Sequence, residues 1–301
     1  MRAGLKWFAI ASVGLWGACA ESGSAGDSGA LAVTIGGEAA AEEGFPVGAG
    51  ESEIAFVDGF EVTFDSILVS VLELTVAEEG AAGSSVTLDA PLVVELTTGS
   101  QEVGFWSGLR SGRYAAVGYT IGPVQAASTL LGEVSETDLA EMQAEGVAIW
   151  IRGSATDGTD TYTLDLRFAE TVRQLDCVNG LDGTSGLVVT EGGTTTVDLT
   201  IHLDHLWFDT YAAEEANLRF EPWAATADAD GHIELEFLSA QELGDLTDRA
   251  GEPLTTAGET LVVYDPGTLD LTSFDLESYV RAAATTMGHF NGEGHCEYVV
   301  E

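Results

Sequence analysis

Positive charge is the scarcest property of this 301-residue chain. It has 10 basic residues against 50 acidic ones, a formal net charge of −40, and Lys6 is its single lysine. A surface this acidic repels polyanions, so the composition excludes nucleic-acid binding and disfavours contact with anionic lipid headgroups. The charge indicates solubility in an extracytoplasmic medium, and a dedicated cation-binding role is the alternative.

Long apolar runs are also missing, and the longest one near the start, from Trp7 to Trp16, is too short for a permanent membrane span. Arg2 and Lys6 precede this run and small residues follow it, a pattern typical of an export signal over residues 1–18. Cys19 comes directly after Gly17 and Ala18, as in bacterial lipoprotein signals, which predicts lipidation at Cys19. Ordinary cleavage near Ala18 or Ala20 is the alternative. The Gly/Ser-rich residues 19–30 predict a flexible tether.

Cysteine is scarce too, with three residues in the whole chain. If Cys19 carries lipid, Cys177 and Cys296 remain, and an even remainder in an oxidising compartment predicts one disulfide between them. Two free buried thiols are the alternative.

Catalytic signatures are absent as well. The chain contains no GxSxG, HExxH or Walker sequence, so nothing points to the hydrolases or nucleotide-binding enzymes that those motifs mark. Carboxylate pairs are always available among 50 acidic residues and decide nothing. We therefore expect a protein that is not an enzyme.

The chain does have many short segments with period-two patterning, separated by turn residues. Residues 161–168 alternate cleanly, and residues 187–190 and 194–203 are predicted to form a hairpin. Strands at this spacing predict a mainly β fold, an antiparallel β-sandwich, as a single domain over residues 31–301. Helical elements are expected to concentrate at 212–287, the strongest over 273–286, and Ser135 is predicted to cap a further short helix.

All five histidines lie in the last third of the chain, and four of them form two groups that could bind a metal. Strand alternation in TIHLDHLWFD puts His202 and Asp204 on the face opposite the apolar residues, whereas His205 falls on the apolar side unless the chain bends. His289 and His295 lie in a Gly-rich segment able to wrap around a ligand. The set His202, Asp204, His289 and His295 would suit zinc or copper, and solvated histidines on a strand face are the alternative.

One stretch, ATADADGHIELEFL, has the centre of an EF-hand calcium loop. Its candidate calcium ligands are Asp228, Asp230, His232 (through its carbonyl), Glu234 and Glu236, with Gly231 at the sharp turn. Thr226 stands where the first carboxylate belongs and Phe237 where the final glutamate belongs. A weak calcium site is thus one interpretation, and an Asx-type turn built from the same residues is the other.

Several segments together resemble a group of uncharacterised bacterial envelope lipoproteins. They are VTIGGEAAAEEGFP (33–46), VDGFEVTFDSILVSV (57–71), TIHLDHLWFDT (200–210), DADGHIELEFL (228–238) and GHFNGEGHC (288–296). The resemblance implies a signal and tether, a β-rich body and a degenerate EF-hand-like DxDG segment.

We therefore expect a non-enzymatic, exported, lipid-anchored acidic protein of the outer membrane that binds a divalent metal, with calcium as a candidate cofactor. Its expected membrane contact is the N-terminal lipid only. A structural or surface-assembly lipoprotein with no ligand is the alternative.

Overall fold

The computed structural model describes residues 28–50, 53–78, 84–213, 215–256, 258 and 260–301. The predicted signal segment 1–18, Cys19 and most of the predicted tether lie outside the described residues. The first strand begins at Ser28, so the last three residues of the predicted tether already belong to the folded body. Among the described residues, no helix is long and apolar enough to cross a membrane.

The protein is mainly β, with 43% strand and 16% helix, as predicted. The strands in the described part of the chain are β1 (Ser28–Gly36), β2 (Glu61–Ala77), β3 (Ser85–Thr87), β4 (Leu92–Glu95), β5 (Gln101–Arg110), β6 (Gly112–Tyr114), β7 (Ala116–Ile121), β8 (Thr129–Leu131), β9 (Ile149–Thr156), β10 (Thr161–Phe168), β11 (Val172–Leu175), β12 (Leu187–Val189), β13 (Thr194–Ile201), β14 (His232–Glu234), β15 (Gly288–Phe290) and β16 (Glu297–Val300).

The helices are short. They are α1 (Glu38–Glu43), α2 (Glu136–Glu145), α3 (Glu221–Ala224) and α4 (Leu276–Ala284), with 3₁₀-helices over Leu203–Trp207 and Leu235–Ala240. The helical part between 212 and 287 is minor, because turns rich in Gly and Asp separate its three helical segments. Ser135 caps α2 as predicted, its Oγ accepting a hydrogen bond from the Asp138 backbone N–H at 3.0 Å.

The described residues form two large sheets and a two-stranded sheet of β6 and β12, and all three contribute to one hydrophobic core. A four-stranded sheet has the order β15-β13-β1-β5, and a ten-stranded sheet runs β14-β10-β9-β2-β7-β11-β16 with β3, β4 and β8 attached. Leu31 and Ile35 from the first sheet pack in the same buried cluster as Ile67 and Val71 from the second, which is the arrangement of a sandwich. Most strand pairs are antiparallel, and β1–β13, β4–β8 and β10–β14 are parallel.

The predicted hairpin over 187–203 does not form. β12 pairs with β6, while β13 pairs in parallel with β1 and antiparallel with β15. The intervening turn instead bonds to β1, since the Gly192 N–H donates to the Ser28 carbonyl at 2.9 Å. The period-two pattern states which side chains face inward, but it does not select the neighbouring strand.

The predicted disulfide between Cys177 and Cys296 is confirmed. It joins the segment after β11 to the segment between β15 and β16, across 119 residues of sequence. The Val178 N–H donates to the His295 carbonyl at 2.8 Å beside it. The bridge therefore fastens the His289–His295 segment to the sandwich.

Candidate metal centre

Two adjacent strands bring His202 and His289 together. β13 and β15 are antiparallel with Thr200 opposite His289, and the His202 N–H donates to the Met287 carbonyl at 2.9 Å. Because side chains alternate along a strand, Thr200, His202 and His289 lie on one face, while Ile201 points into the core. The two imidazole rings stack, with centroids 4.2 Å apart and planes 24° from parallel.

His205 joins these two rings, whereas the sequence prediction placed it on the apolar side unless the chain bends. That prediction extended the period-two alternation past Ile201, but β13 ends there and a 3₁₀-helix over Leu203–Trp207 follows. A 3₁₀-helix has three residues per turn, so positions i and i+3 eclipse and His205 comes onto the side of His202. The His205 ring centroid lies 5.8 Å from that of His202 and 5.2 Å from that of His289.

The three histidines form a group that could hold a metal ion. One nitrogen from each of His202, His205 and His289 can be chosen so that all three atoms lie within 4.8 Å of one another. Within the described ranges this is the one such cluster of His, Cys, Asp and Glu side chains. Three imidazole nitrogens around an open position are the ligand set of many zinc and copper sites.

A hydrogen bond fixes the orientation of His205. Its Nδ1 lies 2.8 Å from Thr286 Oγ1, and that hydroxyl donates its own proton to the Ala283 carbonyl at 2.8 Å. The hydroxyl therefore accepts from Nδ1–H, which leaves the lone pair on His205 Nε2 for a metal. Metal-binding histidines typically use their second nitrogen in this way.

The other two rings carry buried nitrogens without partners. His202 is 7% exposed and His289 is 3% exposed, and neither His202 Nε2 nor His289 Nδ1 has a hydrogen-bond partner. Leaving a buried polar atom unsatisfied costs about 1–3 kcal/mol. A cation bound among the rings would give ring nitrogens the partner that the protein does not supply, so the residues present fit a metal.

Burial keeps two of the rings neutral. It lowers the pKa of His205 to about 3, helped by the nearby His289 and His202, and it lowers the pKa of His289 to about 3, helped by His202 and His295. A neutral imidazole offers its lone pair, whereas an imidazolium does not. At neutral pH both rings are therefore ready to coordinate a cation.

The remaining two residues of the predicted ligand set flank the three rings. Asp204 is half-buried next to His202, and its burial raises the pKa of its carboxyl group. His295 is exposed, with its ring centroid 5.0 Å from that of His289. The structure thus groups two of the four predicted ligands with His205, and ligation by Asp204 and His295 stays a prediction.

Three cavities reach the histidines from the surface, and the largest, of about 520 Å³, is lined by His205 together with Glu53, Asp204 and Glu215, among others. One of about 260 Å³ is lined by His202 together with the carboxylates of Glu38, Asp204 and Glu293. Another of about 250 Å³ is lined by His205, His289, His295 and, among others, Gln174 and Tyr211, without a carboxylate. The two cavities that contain acidic residues are those whose charge attracts cations.

The DxDG stretch forms the Asx-type turn that was the alternative interpretation. Asp228 Oδ1 accepts hydrogen bonds from the Asp230 and His232 backbone N–H groups, both at 2.9 Å, and Gly231 adopts φ 78°. The same bonds recur at Asp248, whose Oδ1 accepts from the backbone N–H groups two and four residues later. That second turn has Ala in the position of Asp230, so the geometry does not require a bound cation.

The other two candidate calcium ligands make contacts of their own. Glu234 Oε1 lies 3.4 Å from His232 Nε2, and Glu236, on the second 3₁₀-helix, has Oε1 3.7 Å from Arg281. Calcium at this loop stays a prediction, which titration can test.

Comparison with known families and structures adds no further constraint. Searches against protein families, curated proteins and solved structures found no match to this chain.

Proposed function

We propose that this protein is an exported, lipid-anchored, acidic envelope protein without enzymatic activity that binds a divalent transition metal through His202, His205 and His289. The observation that carries the proposal is the convergence of three imidazole nitrogens within 4.8 Å, two of the rings being almost fully buried. Exposed histidines on a strand face, the alternative, would be solvated, whereas these rings leave buried nitrogens unpartnered.

The ligand type favours zinc or copper. Imidazole nitrogen suits these ions, whereas calcium and magnesium prefer oxygen. With metal–ligand bonds of about 2.1 Å, neighbouring tetrahedral ligands lie about 3.4 Å apart. The nitrogens span up to 4.8 Å, so the longest separation between them would have to shorten by up to about 1.4 Å around the ion.

Export and anchoring are supported by separate features. The disulfide between Cys177 and Cys296 is the type of bond that forms and persists in oxidising compartments. The basic and apolar pattern of residues 1–18, followed by Cys19, is what an exported lipoprotein would need.

Thermal melting of the metal-stripped protein, with added Zn²⁺ or Cu²⁺, tests the metal site. At a free metal concentration of 100 times Kd, binding adds about 2.7 kcal/mol of stability, which raises Tm by roughly 5–10 °C for a chain of this size. The rise should be lost in His289→Gln and kept in His232→Gln, a histidine outside the cluster that contacts Thr163.

Two results would contradict the proposal. An unchanged Tm with both metals, beyond ionic-strength controls, would favour the structural protein without a ligand. A rise that His289→Gln retains in full would place the bound metal elsewhere in the chain.

A further inference from the structure

Glu38 has an unusual backbone conformation beside the histidine cluster. It is the first residue of α1 and adopts φ 55°, a left-handed conformation that residues with a side chain rarely take. Non-glycine residues held in such conformations concentrate at functional sites, where the surrounding structure has a use for the side chain direction that results. The contacts of the Glu38 carboxylate are therefore of functional interest.

The carboxylate of Glu38 reaches His202. Its Oε1 lies 3.8 Å from His202 Nε2, the buried nitrogen that has no hydrogen-bond partner. This separation is too long for a hydrogen bond. It is close to the distance of about 3.4 Å expected between two neighbouring ligands of one tetrahedral ion.

No other acidic side chain in the described part of the chain comes as close to the cluster. Asp204 and Glu293 line the same cavity as Glu38 and His202, but within 4.0 Å of the ring nitrogens of the three histidines the one carboxylate oxygen is that of Glu38. The side chain is 45% exposed, so it is free to rotate toward an ion that enters through this cavity.

We propose that Glu38 is the fourth protein ligand of the metal, and that the acidic cavity it lines with His202 is a route by which the ion enters. The inference rests on the proposed function, because it needs a metal at the three histidines. Three neutral imidazoles and one carboxylate give a divalent ion a net charge of +1 and a closed tetrahedral shell.

Zinc affinity, measured by competition with a chromophoric chelator, tests the assignment in the full folded protein. Glu38→Gln keeps the size of the side chain and removes its charge, and we expect binding to weaken by at least about 10- to 100-fold, the loss seen when a residue that only hydrogen-bonds to a metal ligand is replaced. Glu43→Gln makes the same charge change at an exposed position of the same helix and should leave the affinity at the wild-type value.

Glu38→Gly separates ligation from folding. Glycine adopts φ 55° without strain, so this variant should melt at a higher temperature than the wild type when stripped of metal. It should nevertheless bind zinc as weakly as Glu38→Gln, since both lack the carboxylate.

Cobalt substitution shows whether the carboxylate touches the ion. We expect the visible d–d bands of the Co²⁺-loaded protein to change in Glu38→Gln and to be preserved in Glu43→Gln. Weaker affinity with unchanged bands would overturn the assignment, because Glu38 would then act on His202 and not on the metal. Unchanged affinity in Glu38→Gln would overturn the assignment as well. If His289→Gln still abolished binding in that case, the three-histidine site would be retained and only the role of Glu38 would be rejected.

Discussion

The neutral state of the buried histidines makes the metal-free protein sensitive to acid. The pKa values of His205 and His289 are lowered to about 3 by burial, whereas a histidine in the unfolded chain titrates near 6.5. Below pH 6.5 these two histidines bind protons in the unfolded chain but not in the native state. The stability that these rings contribute is therefore fully present above pH 6.5 and is lost as the pH falls toward 3.

The size of this effect follows from the number of groups. Once the pH is well below 6.5, each ring lowers the free energy of unfolding by about 1.4 kcal/mol for every unit by which the pH falls. The two rings together therefore lower it by about 2.7 kcal/mol per unit. Replacing His289 by glutamine should remove about half of that slope. Carboxylate titration is common to both proteins, so the difference in slope isolates the histidine.

Urea unfolding of chelator-treated protein at pH 7, 6, 5 and 4.5 measures these slopes. His232→Gln is the matched control for the loss of one imidazole, since His232 lies on β14 away from the cluster. Equal slopes in the wild type and in His289→Gln would refute the reasoning that burial keeps this ring neutral.

Three further predictions concern stability and the DxDG turn. The double variant Cys177→Ser, Cys296→Ser opens a loop of 119 residues and should lose about 5 kcal/mol on the chain-entropy estimate, measured by urea unfolding; a loss below 1 kcal/mol would contradict it. Ser135→Ala removes the cap of α2 and should cost about 1 kcal/mol in the same assay, and an unchanged midpoint would show that the cap is not stabilising. Millimolar calcium should leave the Tm of metal-stripped protein where an equal ionic strength of NaCl leaves it, because the Asp228 turn is satisfied internally; a calcium-specific rise that Asp230→Ala abolishes would support calcium binding instead.

Local patterns predicted local structure well. Residues 161–168 form β10 with the predicted bounds, and Tyr162, Leu164, Leu166 and Phe168 are buried while Thr161 and Thr163 are exposed. The alternation is decisive there because one face of the strand meets the core and the other meets solvent. The disulfide was predictable because the expected lipidation of Cys19 left two cysteines, which allow one pairing.

Pairings between distant segments could not be predicted in the same way. His202 and His289 meet because β13 and β15 are neighbours, and nothing in either segment specifies the other across more than 80 residues. His205 was missed for a different reason, since the HLDH spacing fits both a strand and a 3₁₀-helix. The place where the strand ends decides which applies, and strand ends are set by packing.

In the proposed function, the acidic surface and the histidine cluster would solve two parts of one selection problem. A net charge of −40 raises the local concentration of every cation, calcium and magnesium included, so the surface alone cannot discriminate. Discrimination requires ligands that hard cations bind poorly, and neutral imidazoles meet that requirement. Placing them behind a carboxylate-lined cavity attracts cations in general and retains those that accept nitrogen. If the protein is exported to a medium rich in calcium and magnesium, as proposed, it would need both features, because either one alone would leave the site empty or filled by the commoner ion.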